Sequence, residues 1–188
     1  MKSIRVHALE GSMVSTAKGI EKLYEIHNRG KEDVAIYVLP PTRDPDLSFY
    51  RLLDAAEKKD DRLWNLLEQK KNAWLELCSS MLGDNSCVSE YVSQNFVSIG
   101  DILRAVWILE DKSGAASDHL ETMTSTFLDR IVSAYFQEKG ISTDSISLSS
   151  LLEDHNPVFN AKAVFISGEL LYCDDDRDAA GRDRSDEG

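Results

Sequence analysis

A turn of small residues between a predicted strand and a predicted helix is the part of this sequence best suited to chemistry. It follows the apolar run 4–9 and has small side chains at Gly11, Ser12, Ser15 and Thr16. Thr16 is suited to cap the helix that runs to His27. A helix N-terminus presents unpaired N–H groups and the positive end of the helix dipole, which attract anions. The spacing therefore predicts an anion site, for example for a phosphate, at this turn.

Other residue types that commonly do chemistry lack partners at informative spacing. We interpret His7 as a half-buried strand residue, and Asp118 and His119 as capping and surface residues at a helix start. His155 follows Asp154 in a predicted loop, where a metal would need further ligands that the sequence does not place. No Ser-His-Asp order and no nucleophile elbow is visible. The sequence thus predicts neither a catalytic residue nor a metal ligand.

The composition limits the classes of partner. The chain has 188 residues, 42% of them apolar, and a net charge of -12. A strongly acidic surface gains neither counterion release from nucleic acid nor attraction to an anionic membrane. We therefore expect no nucleic acid and no membrane among the partners.

The cysteines and the N-terminus indicate a cellular compartment. Cys78, Cys87 and Cys173 have no metal-type spacing, and an odd number of cysteines does not suggest a disulfide framework. Residues 1–20 lack the continuous apolar core of a signal peptide, and no apolar run approaches the roughly 20 residues that span a bilayer. We expect a cytoplasmic protein.

The turn lies within a predicted β-α-β unit. A strand over 4–9 is followed by a helix over 16–27, whose apolar positions recur with helical spacing. A continuous β-prone run over 34–39 then predicts a second strand, which ends at Pro40 because proline cannot donate to a sheet ladder. Strand, helix and strand in about 35 residues predict a parallel pair.

Helical periodicity dominates the middle of the chain. Asp46 is a candidate cap for a short helix that carries Leu47, Tyr50, Leu52 and Leu53. Further helices are predicted over 60–82, 88–97, 100–110 and 118–139, with a loop over 113–117. The predicted buried side chains of the two helices over 60–82 and 100–110 are Trp64, Leu67, Trp74, Leu75, Cys78, Met81, Leu82, Ile102, Leu103, Val106, Trp107 and Leu109.

The last third of the chain returns to strands. Residues 145–148 and 163–166 have strand-like composition, and 151–160 between them are predicted to be irregular. Residues 173–188 have almost no apolar side chains, which predicts an acidic disordered tail after a single domain over 1–172.

Two stretches carry a family resemblance. Residues 8–14 read Ala-Leu-Glu-Gly-Ser-Met-Val, and residues 118–128 read Asp-His-Leu-Glu-Thr-Met-Thr-Ser-Thr-Phe-Leu, followed by Gly140 and Ile141. Over about 4–166 this order resembles the N-terminal part of the aspartokinases, members of the amino acid kinase family. The corresponding family motifs are Lys-Phe-Gly-Gly-Thr-Ser-Val after the first strand and Asp-x-Ile-x-Ser-x-Gly-Glu-x-x-Ser before a helix.

The resemblance also shows where the chain departs from the family at ligand-facing positions. The turn lysine that stabilises the transferred phosphoryl group corresponds to Ala8, and the first turn glycine to Glu10, whose charge repels phosphate. The Gly-Glu pair that contacts aspartate corresponds to Thr124 and Ser125, which are vestigial substrate positions. The serine after that pair corresponds to Leu128, and the Ser-Ala pair at a strand end to Leu39 and Pro40.

The resemblance implies an α/β fold. We expect a three-layer α/β/α arrangement like that of the amino acid kinases, with a short, mostly parallel sheet and an inserted helical section. The departures favour a truncated, aspartokinase-like protein without kinase activity that acts by self-association or with a protein partner. A shortened sheet would leave an edge or an apolar face for that association.

Two alternative functions stay open. One is an aspartate kinase, or a fragment of one, that converts L-aspartate to 4-phospho-L-aspartate in lysine or threonine biosynthesis. The other is a sensor that binds a small anion or an amino acid at the turn over 11–16. No cofactor is expected under the leading hypothesis or the sensor, and ATP with Mg²⁺ is expected only for the kinase.

Overall fold

A parallel sheet organises the protein. The structure, a computed structural model, describes residues 3–84, 86–153 and 161–167. Its strands are β1 (Ile4–Ala8), β2 (Val34–Leu39), β3 (Thr143–Ser147) and β4 (Ala163–Ser167), and they pair in the order β1-β2-β4-β3. All three pairings are parallel, as expected for strands joined through helices.

Seven helices connect and cover the strands of the described chain. They are α1 (Gly11–Val14), α2 (Ala17–Arg29), α3 (Tyr50–Glu57), α4 (Leu63–Leu82), α5 (Cys87–Leu109), α6 (Gly114–Glu138) and α7 (Leu148–Glu153). Helices α3, α4 and α5 form the inserted helical section between β2 and α6. The α/β class, the parallel sheet and the helical insertion predicted from the sequence are therefore confirmed.

The two faces of the sheet bury different side chains. Ala35, Tyr37 and Phe165 belong to the main core, which also contains buried residues of α2 and of α3 to α6. Neighbouring positions on the strands point to the opposite face. There Ile36, Val164 and Ile166 form a smaller cluster with Leu148 and Leu151 of α7. The sheet thus lies between a thick helical layer and a thin one.

The first β-α-β unit has the predicted elements, although β1 ends at Ala8 and its side chains are mostly exposed rather than buried. Thr16 caps α2 by accepting a hydrogen bond of 3.1 Å from the N–H of Gly19. Ile20 and Leu23 of α2 are buried, as the periodicity indicated. β2 has the predicted bounds. Residues 11–14 of the predicted turn form the short helix α1.

Three helix boundaries differ from the prediction because contacts between distant residues determine them. Asp46 does not cap a helix: it lies in a turn held by Asp44, and α3 begins later, at Tyr50. The carbonyl groups of Pro45 and Leu47 in this turn accept hydrogen bonds from Lys70 and Trp74 of α4, so packing on α4 fixes its shape. The two helices predicted over 88–97 and 100–110 are one helix, α5.

Gly100 lies inside α5 because its neighbours are buried. Ile99 and Leu103 are fully buried on either side of it, and this packing outweighs the roughly 1 kcal/mol that an interior glycine costs a helix. Similarly, α6 begins at Gly114 and not at Asp118, since the Ser113 hydroxyl accepts a hydrogen bond from the N–H of Ala116. The predicted loop over 113–117 is therefore the cap and the first turn of α6.

Some predicted core positions and strand ends were also wrong. Trp64 of α4 is 41% exposed and Leu109 of α5 is 72% exposed, whereas Trp74 is completely buried. β3 begins two residues earlier than predicted, and residues 151–153 belong to α7. The remaining predicted irregular residues, 154–160, and the predicted tail over 173–188 lie outside the described residues.

Candidate functional site

A cleft opens at the carboxyl ends of β2 and β4. It has a volume of about 670 Å³ and is lined by the end of β2, the loop over 40–48, the start of α3, Leu148, Ile166 and two residues of α6, Glu121 and Thr124. In parallel α/β sheets this end of the strands is where ligands commonly bind. The cleft is therefore the candidate site, although none of the residues predicted as an anion site over 11–16 lines it.

Gly11 is used for packing within the chain. A Cβ atom at Gly11 would lie 3.0 Å from the carbonyl oxygen of Pro41 and 3.3 Å from the Cα of Thr42. The space that a turn glycine can offer to a phosphate is thus filled by the loop after β2. Ser12 is part of α1, and Thr16 caps α2. The loop after β2 therefore packs directly against the turn over 11–16.

Three buried hydroxyl groups join this turn to the loop after β2 and to α6. The Ser15 hydroxyl donates to the carbonyl oxygen of Gly11 at 2.6 Å and lies 2.7 Å from the hydroxyl oxygen of Thr42. Thr42 therefore donates to Ser15, and its oxygen accepts from the N–H of Asp44 at 3.1 Å. The N–H of Thr42 in turn donates to the Thr124 hydroxyl oxygen at 3.2 Å.

Each hydroxyl proton in this chain of hydrogen bonds has an internal acceptor. Thr124 donates to the carbonyl oxygen of Glu121 at 2.8 Å, while Ser15, Thr42 and Thr124 are 7%, 4% and 2% exposed. Burying hydroxyl groups is tolerated because each one is paired. The structure thus brings Gly11, Ser15 and Thr124 together, but through contacts with one another and with Thr42. Thr42 was not predicted as a site residue.

Ser125 points away from the cleft. It is completely buried, does not line the cleft, and donates to the carbonyl oxygen of Thr122 one turn earlier in α6. Leu128 and Leu39, two further positions implied by the resemblance, are fully buried core residues, and Leu39 also lines the cleft. At these positions the side chains stabilise the fold.

Among the described residues, the charged side chains that line the cleft are those of two arginines and a glutamate. Arg43, Arg51 and Glu121 line it and are exposed. Within the described residues neither arginine forms an ion pair (N to O within 4.0 Å) with a carboxylate. Guanidinium groups suit anionic ligands because they donate several hydrogen bonds in a fixed plane. Sequence reasoning missed both arginines, because they lie in a loop and on a helix away from any motif.

A buried carboxyl group lies between α6 and the strands β3 and β4. Asp129 of α6 is 4% exposed and accepts hydrogen bonds from the hydroxyls of Ser145 in β3, at 2.8 Å, and Ser167 in β4, at 3.1 Å. Burial raises the pKa of Asp129 to about 6, although the two hydroxyl groups and Arg130 act to lower it. Asp129 therefore ties α6 to two strands. The sequence signal was its helical spacing from the buried positions 125, 132 and 136.

The histidines and cysteines have structural surroundings. His7 is half-buried, as predicted, and stacks on Tyr37 with ring centroids 5.1 Å apart. Burial raises the pKa of the Cys78 thiol to about 11, so this thiol is unreactive at neutral pH. His155 and Cys173 lie outside the described residues. Among residues 3–84, 86–153 and 161–167, no cluster of three or more histidine, cysteine or carboxylate side chains is arranged to hold a metal.

Among the described residues, no helix combines the length and the apolar character that crossing a bilayer requires.

Comparisons with known proteins identify the fold. No protein-family model and no curated protein matches the chain. E. coli aspartokinase III matches over 87% of this chain with TM-scores of 0.66, in complex with lysine and aspartate, and 0.68, in complex with aspartate and ADP, at 12% and 11% identity. Clostridium acetobutylicum aspartate kinase matches over 89%, with a TM-score of 0.58 and 15% identity.

The matched region is part of those enzymes. This chain covers 40% of the E. coli chain and 39% of the Clostridium chain. Over the matched residues the arrangement of strands and helices follows the resemblance seen in the sequence. The chain therefore has the fold of the aspartokinases over a region that spans about two-fifths of their length.

Proposed function

We propose that this chain is an aspartokinase-fold protein that does not phosphorylate aspartate and that acts through association with a protein, its own copy included. The observation that supports this most strongly is the loop over 41–43. Its backbone fills the space beside Gly11, and Thr42 joins Ser15 to Thr124. Positions that would contact ligands in an active relative are thus used for internal packing.

Charge at the turn supports the same proposal. Phosphoryl transfer needs cationic or dipolar groups that stabilise charge on the phosphoryl oxygens. Ala8, at the position of the family lysine, ends β1, and the carboxylate of Glu10 is exposed beside the turn. A carboxylate and a methyl group in these places disfavour a bound phosphate.

The edge strand β1 supports association. Ile4 and Val6 are 53% and 62% exposed, and they point to the same face as Val34 and Ile36 of β2. Both pairs are apolar, and among the described residues no strand pairs with the outer side of β1. Such an edge favours contact with another protein surface.

The proposal is tested by aspartate-dependent release of ADP from Mg-ATP, with E. coli aspartokinase III as the positive control. We expect a rate equal to that of a blank without protein, because the turn lacks both space and positive charge for a phosphate. Turnover that requires aspartate and is lost in Arg43→Ala would contradict the proposal and favour an aspartate kinase. The Arg43→Ala variant separates turnover in this cleft from a contaminating kinase.

Arg43 and Arg51 favour a second candidate, a sensor of a small anion. Both guanidinium groups reach the cleft without an ion-pair partner among the described residues, so an anionic ligand would supply the missing charge. For this second candidate we therefore propose that the ligand binds in the cleft rather than on the turn over 11–16.

A thermal-shift titration with inorganic phosphate tests the sensor. At about 100 times the dissociation constant, a ligand adds about 2.7 kcal/mol to stability, which raises Tm by several degrees. We expect this shift to disappear in Arg43→Ala and to persist in Lys139→Ala, which removes an exposed cation outside the cleft. An unchanged Tm for the original protein rules out phosphate as the ligand.

A further inference from the structure

Helix α5 buries one apolar face, and its opposite side carries two exposed apolar side chains. Its buried side chains pack into the main core; they are Val88, Val92, Phe96, Ile99, Leu103 and Val106. On the opposite side Val97 and Ile108 are 68% and 67% exposed. With Leu109, they are the three most exposed large apolar side chains among the described residues.

The exposed face has an ordered pattern of side chains. At about 100° per residue, the positions 97, 101, 104 and 108 fall within an arc of roughly 60°. The stripe therefore reads Val97, Asp101, Arg104, Ile108, all of them exposed. Its order is apolar, acidic, basic, apolar.

This order is self-complementary. In a symmetric antiparallel pair of α5 helices, with the twofold axis between residues 102 and 103, Val97 lies opposite Ile108 of the second copy. Asp101 then lies opposite Arg104 of that copy, and the same contacts repeat across the axis. Such isologous contacts are the rule for twofold dimers. We propose that two copies of this chain associate through the stripe formed by Val97, Asp101, Arg104 and Ile108.

The basic residue of the stripe is already held in place. The Nη1 atom of Arg104 is 3.0 Å from a carboxylate oxygen of Asp101, and its guanidinium lies 5.9 Å from the ring centre of Trp64. Trp64 is 41% exposed, and its ring centroid lies 6.3 Å from that of Trp107, with the two rings tilted by 35°. Ordered arginine and tryptophan side chains are the types that most often dominate the energy of protein interfaces. Fixing Arg104 beforehand reduces the entropy lost on association.

The dimer rests on the proposed function, since it names the partner for association. One helix from each copy, flanked by the exposed Leu109, gives a contact at the small end of stable interfaces, below about 1,200 Å². We therefore expect a reversible dimer with a micromolar dissociation constant. Its formation is independent of the kinase assay, so the failure of one proposal is distinguishable from the failure of the other.

Sedimentation equilibrium of the full chain over a range of concentrations tests the dimer. In Asp101→Arg two arginines face each other across the axis, and in Arg104→Asp two aspartates do. Each variant is expected to dimerise about tenfold or more weakly than the original protein. Mixed in equal amounts, the two variants are complementary at both contacts, so the mixture is expected to recover the dimer mass. Asp118→Arg, an equal charge change on the exposed surface of α6, is the control that keeps the original mass.

The possible outcomes separate clearly once circular dichroism shows that the variants are folded. Monomeric single variants with recovery in the mixture support the dimer through α5. A monomeric original protein overturns it. A dimer that is unaffected by either α5 variant but lost in Val6→Lys also overturns it, while placing association at the β1 edge and leaving the proposed function in place.

Discussion

Replacing Gly19 with alanine is expected to destabilise the fold by about 3 kcal/mol. The added Cβ would lie 1.9 Å from the carbonyl oxygen of Met13 and 2.9 Å from its carbonyl carbon. Both are backbone atoms, which cannot rotate away, so the connection from α1 to α2 would have to open. That movement would also disturb Ser15 and its contact with Thr42. Urea denaturation of the original protein and of Gly19→Ala measures the difference in the free energy of unfolding.

Gly114→Ala is the matched control for this prediction. Gly114 also lies in a helix, at the start of α6, but a Cβ there meets no atom within 4 Å. Alanine favours helices, so we expect this variant to be equally stable or up to about 1 kcal/mol more stable. Equal stability of Gly19→Ala and Gly114→Ala would show that the close approach of α1 and α2 is not a constraint on the fold.

Replacing Asp129 with asparagine is expected to stabilise the protein at neutral pH. Burial raises the pKa of this carboxyl group above its ordinary value of 3.8 to about 6. Between about pH 4 and about pH 6 the carboxyl group of Asp129 is protonated in the folded protein but ionised in the unfolded chain. The contribution of Asp129 to the free energy of unfolding therefore falls as the pH rises from about 4 to about 6. Two pKa units correspond to about 3 kcal/mol. Asparagine carries no charge, and it can keep both hydrogen bonds if Ser167 accepts instead of donating.

The difference in unfolding free energy between the original protein and Asp129→Asn isolates the contribution of the Asp129 carboxyl group. Urea denaturation at several pH values is expected to give equal stabilities near pH 4 and an advantage of about 2 kcal/mol for Asp129→Asn near pH 7. Titration of other carboxylates contributes to both proteins alike and cancels in the difference. A variant that is less stable than the original at neutral pH would mean that the carboxylate is charged and favourable in place. Asp129→Ala, which leaves both serine hydroxyls without their acceptor, is expected to be less stable than the asparagine variant.

The sequence alone revealed the elements that have strong local signals. The continuous apolar run of β2 and the cap and periodicity of α2 each depend on neighbouring residues, and both appear where they were predicted. The spacing of two motifs also indicated the aspartokinase fold. Helix boundaries that depend on distant packing were wrong, as at Asp46, where Lys70 and Trp74 hold the turn.

The candidate site was less predictable than the fold. Thr42 contacts Ser15 and Thr124, which lie 27 and 82 residues away in the sequence, so no local pattern could connect them. The role of Gly19 depends on how closely α1 approaches α2, which periodicity does not report. Asp129 could have been found from the sequence, because an acidic residue at helical spacing from the apolar positions Val132 and Phe136 is unusual.

Release of ADP in the presence of aspartate and Mg-ATP tests most directly whether the ligand positions of the aspartokinase fold have become packing positions. If the loop over 41–43 occupies the space beside Gly11 in solution, the purified chain should release no more ADP than the blank. Steady release that requires aspartate and disappears in Arg43→Ala would mean that the cleft still binds both substrates, and it would contradict the account.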